Sequence, residues 1–144
     1  MKMELVDLFL ERARAAAARA DVAADADAAE RLVAEDRTRR AAEGGTTGVV
    51  RAALGIASTG TCVVVADDER TRLDTMLPET SVIVLKARDL VADLPDAAPF
   101  LRERQRQASY VSFITGPSRT ADIERVGAIG VHGPLELHVI VEED

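Results

Sequence analysis

Two short runs constrain this chain more than anything else in it. TCVVVA at 61–66 and SVIVLK at 81–86 are apolar on successive residues rather than on alternate ones. A strand with one wet face alternates, so a continuous run fits a central strand covered on both faces, as in a parallel sheet layered with helices. Two further segments, YVSFIT at 110–115 and LELHVIV at 135–141, have strand composition. The last alternates more and is expected nearer a sheet edge. Helical stretches at 89–94 and about 97–107, interrupted by Pro95 and Pro99, separate the second strand from the third. Strand, helix, strand is the crossover unit of a parallel sheet. The expected class is therefore α/β, a mostly parallel sheet flanked by helices.

The N-terminal part reads differently. Residues 3–20 put Leu5, Phe9, Ala13, Ala16, Ala17 and Ala20 on one helical face. A second helix is expected from Asp27, where Asp27 and Glu30 have capping-box spacing, to just before Gly44 and Gly45. No strand pattern appears ahead of Ser58. With 144 residues and 47% apolar content the chain is expected to be one domain, 1–144, with a helical part at 1–45 and a core at 46–144. Only three Phe and one Tyr are present, with no Trp, so that core is built of Val, Ile, Leu and Ala.

Charge removes one class of function. A formal net charge of -7 and a pI near 4.9 oppose binding to a phosphate backbone, which needs a basic face. The basic runs RTRR at 37–40 and RERQR at 102–106 read as solvated helix surface. No apolar run approaches the ~20 residues of a membrane span, and the N-terminus enters an amphipathic pattern directly, so a cytoplasmic protein is expected. The single cysteine, Cys62, can form no internal disulfide and cannot by itself hold an iron-sulfur cluster.

All nine glycines fall in two stretches, five from Gly44 to Gly60 and four from Gly116 to Gly133. Glycine is needed where backbone takes positive φ or approaches another group closely, so the two stretches suggest two loops that meet. Ordinary flexible turns are the alternative. The first carries GIASTGT at 55–61, whose Ser58, Thr59 and Thr61 hydroxyls surround a tight turn at Gly60. It lacks both the lysine of a P-loop and the spacing of GxGxxG.

The second stretch opens with GPSRTADIE at 116–124, directly after a predicted strand. Ser118 suits the cap of a helix beginning at Arg119, Thr120 and Ala121, which would aim unpaired N–H groups and a guanidinium at one point. That is a candidate site for a carboxylate or phosphate. Pairing of Arg119 with Asp122 or Glu124 is the structural alternative. In GVHGP at 130–134, His132 sits between small neighbours before the last strand and is a candidate acid-base group or a turn histidine. His138 lies inside a strand pattern and reads as packing. Ser118, His132 and Asp122 lack the context of a hydrolase triad, and His132, His138 and Asp122 lack metal-ligand spacing.

IASTGT at 56–61, Leu77–Pro78, GPSRTADIE and GVHGP with LELHVIV, in this order and spacing, resemble the LUD-domain family. Without a cysteine-rich segment the chain is similar to its lactate-utilisation protein C branch. The resemblance implies a Rossmann-like sheet of the ribose-5-phosphate isomerase and coenzyme A transferase kind. It also implies a part in oxidising L-lactate to pyruvate with iron-sulfur partner proteins, this chain holding no cofactor of its own; a homo-oligomer stays open. The motif positions carried over for ligand binding are Thr59, Gly60, Gly116, Ser118, Arg119, Thr120, Asp122 and Gly133, with His132 as the catalytic candidate. A free-standing enzyme on a small phosphorylated or acyl substrate, with His132 as acid-base, is the competing function. Family members carry strand-containing units upstream of the IASTGT segment, whereas here two helices run almost straight into it. Either a smaller sheet or a segment missing around 34–45 is expected.

Overall fold

The computed structural model describes residues 2–76, 78–107, 110–117, 120–122 and 134–143. Helix α1 (Lys2–Ala15) leads into strand β1 (Arg19–Ala23), and helix α2 (Ala26–Ala42) returns to β2 (Thr47–Arg51). There follow β3 (Leu54–Ile56), β4 (Thr61–Val65), α3 (Glu69–Met76), β5 (Thr80–Lys86), β6 (Leu90–Val91), α4 (Ala98–Arg106), β7 (Val111–Ile114), β8 (Thr120–Asp122) and β9 (Glu136–Glu142).

The strands form two sheets. One is fully parallel, in the order β1-β9-β5-β2. The other runs β6-β3-β4-β7-β8 and is antiparallel except where β3 meets β6. Side-chain alternation sorts the core into three layers. On the parallel sheet, Ile83, Leu85, Leu137, Val139 and Val141 face α1, where they meet Phe9, Ala13 and, from the second sheet, Cys62 and Val64. The opposite face, Val82, Val84 and Ile140, packs on Ala29 of α2. Val63, Ile56 and Val111 on the far side of the second sheet lie under Phe100 and Leu101 of α4. Both sheets are thus covered on both faces, which is why 61–66 and 81–86 are apolar on successive residues.

The α/β class with a parallel sheet flanked by helices holds, while several elements differ from expectation. SVIVLK is central and parallel, but TCVVVA pairs antiparallel with both neighbours in the second sheet. LELHVIV lies inside the sheet, bonded to β1 and β5, rather than at an edge. Strands β1, β2 and β3 all precede Ser58, and β1 falls within 1–45, which is not purely helical. Arg19 and Ala20 fall in the expected helix and residues 21–23 carry no strand pattern, yet pairing with β9 along Arg19↔His138 to Ala23↔Glu142 overrides that weak local preference. Ala17, at φ 76, is where α1 gives way to β1. Asp25, not Asp27, caps α2, its side chain accepting from the Ala28 N–H at 2.9 Å. Residues 89–94 form no α-helix but short 3-10 turns around β6. α2 runs unbroken through Ala34, and the parallel sheet takes two strands, β1 and β2, from upstream of IASTGT.

Candidate functional site

The end of the first glycine stretch, Gly60, and the start of the second, Gly116, meet at the C-terminal end of α1. Gly60 has φ 67 and Gly116 has φ 76. A Cβ on Gly60 would stand 2.4 Å from the Ala13 nitrogen, and one on Gly116 would stand 2.2 Å from the Ala16 carbonyl oxygen. Both loops therefore press backbone against α1, and this close approach already requires glycine at both positions. Between them runs a chain of hydroxyls: Thr59 Oγ1 to Thr61 Oγ1 at 2.7 Å, and Thr61 Oγ1 to Thr115 Oγ1 at 2.7 Å. Thr61 is buried, whereas Thr59 is exposed. Three hydroxyls joined by two bonds retain one proton for a further acceptor. Ser58 is already engaged, donating to Asp93 Oδ1 at 2.8 Å, and that bond with the Leu94 N–H holds the Asp93 carboxyl below its ordinary value.

Of the other predicted site residues, Ser118, Arg119, His132 and Gly133 lie outside the described residues. Thr120 and Asp122 fall in β8, paired with Ile114 and Ser112 of β7. The expected helix through Thr120 and Ala121 is thus replaced by a strand, Thr120–Asp122, because β7 offers it a free edge to pair with. The order of the strands in the sequence also suggests GPSRTADIE and GVHGP side by side at the carboxyl ends of adjacent parallel strands, and the strand order does not allow that. β7 and β9 belong to different sheets, and GVHGP precedes the amino end of β9.

A second polar cluster has no motif to announce it. His138, fully buried on the α2 face of β9, has Nδ1 against Asp36 Oδ2 and Nε2 2.7 Å from Asp21 Oδ2. Each ring nitrogen can donate to its carboxylate only when it carries a proton. Arg19 Nη1 donates to Asp36 at 2.8 Å and to Glu136 at 3.1 Å, and Arg39 Nη2 reaches the same two carboxylates. Arg40 Nε donates to Thr80 Oγ1 at 2.8 Å, and Thr80 in turn to Glu136 at 3.1 Å. Burial pushes the Asp36 carboxyl up, but hydrogen bonds from His138 and Arg19 outweigh it and hold it at about 2. Burial likewise raises Glu136, and its bonds from Arg39 and Thr80 bring it below its ordinary value. The cluster clamps α2 across β1, β9 and β5. Its one sequence signal is the period-2 placement of Glu136, His138 and Glu142 on one face of an otherwise apolar strand.

Known proteins place this architecture. The LUD domain family model matches residues 3–141. The chain is 36% identical to Lactate utilization protein C of Anoxybacillus flavithermus, over 72% of this chain and 47% of that one. It is 33% identical to the protein of the same name from Geobacillus thermodenitrificans, over 72% and 45%. The chain thus spans about half the length of the curated relatives it matches. A crystal structure of a DUF162 family protein from Deinococcus radiodurans superposes with a TM-score of 0.71 at 18% identity, covering 98% of both chains.

Proposed function

Because the chain belongs to the LUD-domain family and is similar to its lactate-utilisation protein C members, we propose that it is a subunit of an L-lactate utilisation system that binds a small anionic ligand and works beside iron-sulfur partner proteins. The observation that carries this reading is the 33–36% identity to proteins named Lactate utilization protein C. In it, residues 1–144 act as one cytoplasmic LUD-type domain. Among the described residues no helix is long and apolar enough to cross a membrane. The clusters are assigned to partners because Cys62, the one cysteine, is enclosed in β4.

The proposed ligand site starts at Thr59, Gly60 and Gly116 and continues into Ser118, Arg119, Thr120, Asp122 and Gly133, with His132 as its acid-base group. Support comes from the meeting of the two glycine stretches through Thr61 and Thr115. Two measurements test the reading. Loss of the gene is expected to abolish growth on L-lactate while growth on pyruvate persists. In calorimetric titration with L-lactate and pyruvate, Arg119→Met is expected to weaken binding by about 1.5–3 kcal/mol, the worth of hydrogen bonds to a charged group. Unimpaired growth on L-lactate, or unchanged affinity in the variant, contradicts the proposal.

A further inference from the structure

The parallel sheet has two edges, β1 and β2, and they are finished differently. Along a strand at a sheet edge, backbone groups point alternately toward the neighbour and away from it. In β1, Ala23 O accepts from the Glu143 N–H on the β9 side, so the groups of Ala20 point outward, and Arg14 Nε covers Ala20 O at 3.1 Å. In β2, Thr46 O accepts from the Thr80 N–H and the Ala52 N–H donates to Val84 O. The outward N–H and C=O groups are therefore those of Thr47, Val49 and Arg51. Among the described residues, only Thr47 O has a partner there, Arg37 Nη1 at 3.4 Å, longer than an ordinary hydrogen bond. Such a row of open donors and acceptors is a template for another strand.

Charge and shape beside this edge say which strand. A groove of about 300 Å³ lies between α2 and β2, with Ala29, Val33, Val49 and Val84 as its floor and Glu30, Arg37 and Arg51 around it. The chain reverses between α2 and β2, so Arg37 lies at the Thr47 end, where its guanidinium already reaches the edge. Glu30, two helical turns earlier on the same face, lies at the Arg51 end. The midpoint between these two charges is level with Val49. Both side chains are exposed, and among the described residues neither is in an ion pair within its own chain.

We propose that two copies of the chain join through β2, antiparallel about a two-fold axis at Val49, into one continuous sheet. In that register Val49 meets the partner's Val49 and Thr47 meets the partner's Arg51. Every outward N–H of the strand then finds a carbonyl, and no like charges stand directly opposite. The Arg51 N–H takes over the partner's Thr47 O, which releases the partner's Arg37 at the end of the groove where Glu30 stands. The same contact repeats across the axis, as a self-complementary interface requires. The partner's Val49 and the apolar stem of its Arg51 close over the groove floor. A strand from another protein would match the backbone bonds but not the reversed pair of charges. The assembly rests on this edge and is independent of the proposed ligand site.

Sedimentation equilibrium of the full chain is expected to give twice the 15.4 kDa of one copy, falling toward the monomer on dilution. Glu30→Arg and Arg37→Glu, at exposed positions, should each weaken association at least tenfold, because each sets like charges together twice. Mixing the two single variants should restore a dimer, and so should combining both changes in one chain. Val49→Pro, which removes an outward N–H and spares the bonds to β5, should also weaken association at least tenfold. The amides of Thr47, Val49 and Arg51 should exchange more slowly in the wild-type dimer than in Arg37→Glu. A wild-type monomer at millimolar concentration overturns the proposal and leaves the edge to a strand of another kind. So does a dimer indifferent to both single charge variants, a mixture of them that stays monomeric, or equal exchange of the three amides in dimer and monomer.

Discussion

Replacing Asp36 by Asn tests the buried clamp with the smallest change of shape. The carboxylate is 2% exposed and accepts from Arg19, Arg39 and His138, so the amide keeps the volume and loses the charge. Two routes give the magnitude. The carboxyl is held at about 2 against an ordinary 3.8, and at about 1.36 kcal/mol per pH unit that is about 2 kcal/mol of stability at neutral pH. Removing one partner of a buried ion pair costs about 3–5 kcal/mol. The variant should therefore lose about 2–4 kcal/mol. With an unfolding entropy of roughly 2.1 cal/mol/K per residue, a loss of about 3 kcal/mol lowers Tm by about 10 °C. The pH dependence has a definite sign. A folded pKa below the unfolded one means the stabilisation is complete above about 3.8 and disappears as pH falls through about 2. Urea unfolding of both proteins at pH 7, 5, 4 and 3 should show a constant gap down to about pH 4 that narrows below it. A gap at pH 7 under about 0.5 kcal/mol, the spread of ordinary surface substitutions, would refute the clamp. So would a gap that does not narrow in acid.

Other outcomes follow from the same packing. Gly60→Ala and Gly116→Ala should each cost about 1–3 kcal/mol in thermal unfolding, because both positions have positive φ and a new Cβ would meet α1 backbone. Thr61→Val, which breaks both hydroxyl bonds at nearly constant volume, should cost about 1–3 kcal/mol by urea unfolding. The Cys62 thiol is fully enclosed and burial pushes its pKa up to about 12. It should resist a thiol reagent at pH 8 in the native protein and react stoichiometrically in denaturant.

How much of this is legible in the sequence depends on whether the deciding contact is local. SVIVLK announces a central strand because both its faces are buried within its own sheet. TCVVVA carries the same signal and sits in an antiparallel sheet, since double burial reports layers and not strand direction. RADVA and TGVVR are invisible as strands. Alanine favours helix in the first, and each is stabilised by a partner far along the chain, Arg19 pairing with His138 and Thr47 with Thr80. For the candidate site, the glycine distribution tells correctly that two loops converge. The reason lies in α1 pressing on Gly60 and Gly116, a contact between segments with no shared pattern. His138 reads as packing because its two carboxylates, Asp21 and Asp36, come from segments that carry no site pattern of their own.

The interior position of β9 has a bearing on how the molecule is made. Of the four parallel strands it emerges from the ribosome after the others, yet it belongs between β1 and β5. Until it arrives, β1 has no neighbour in the sheet and one edge of β5 is open, a flat apolar template of the sort that recruits foreign strands. Asp21 and Asp36 meanwhile wait for an imidazole 117 and 102 residues downstream. Completion then demands insertion of a strand rather than addition at a rim, a non-local closure of the kind that slows folding. The nascent chain is thus committed to a period of exposure, and the interval before β9 docks is when a chaperone would have most to protect.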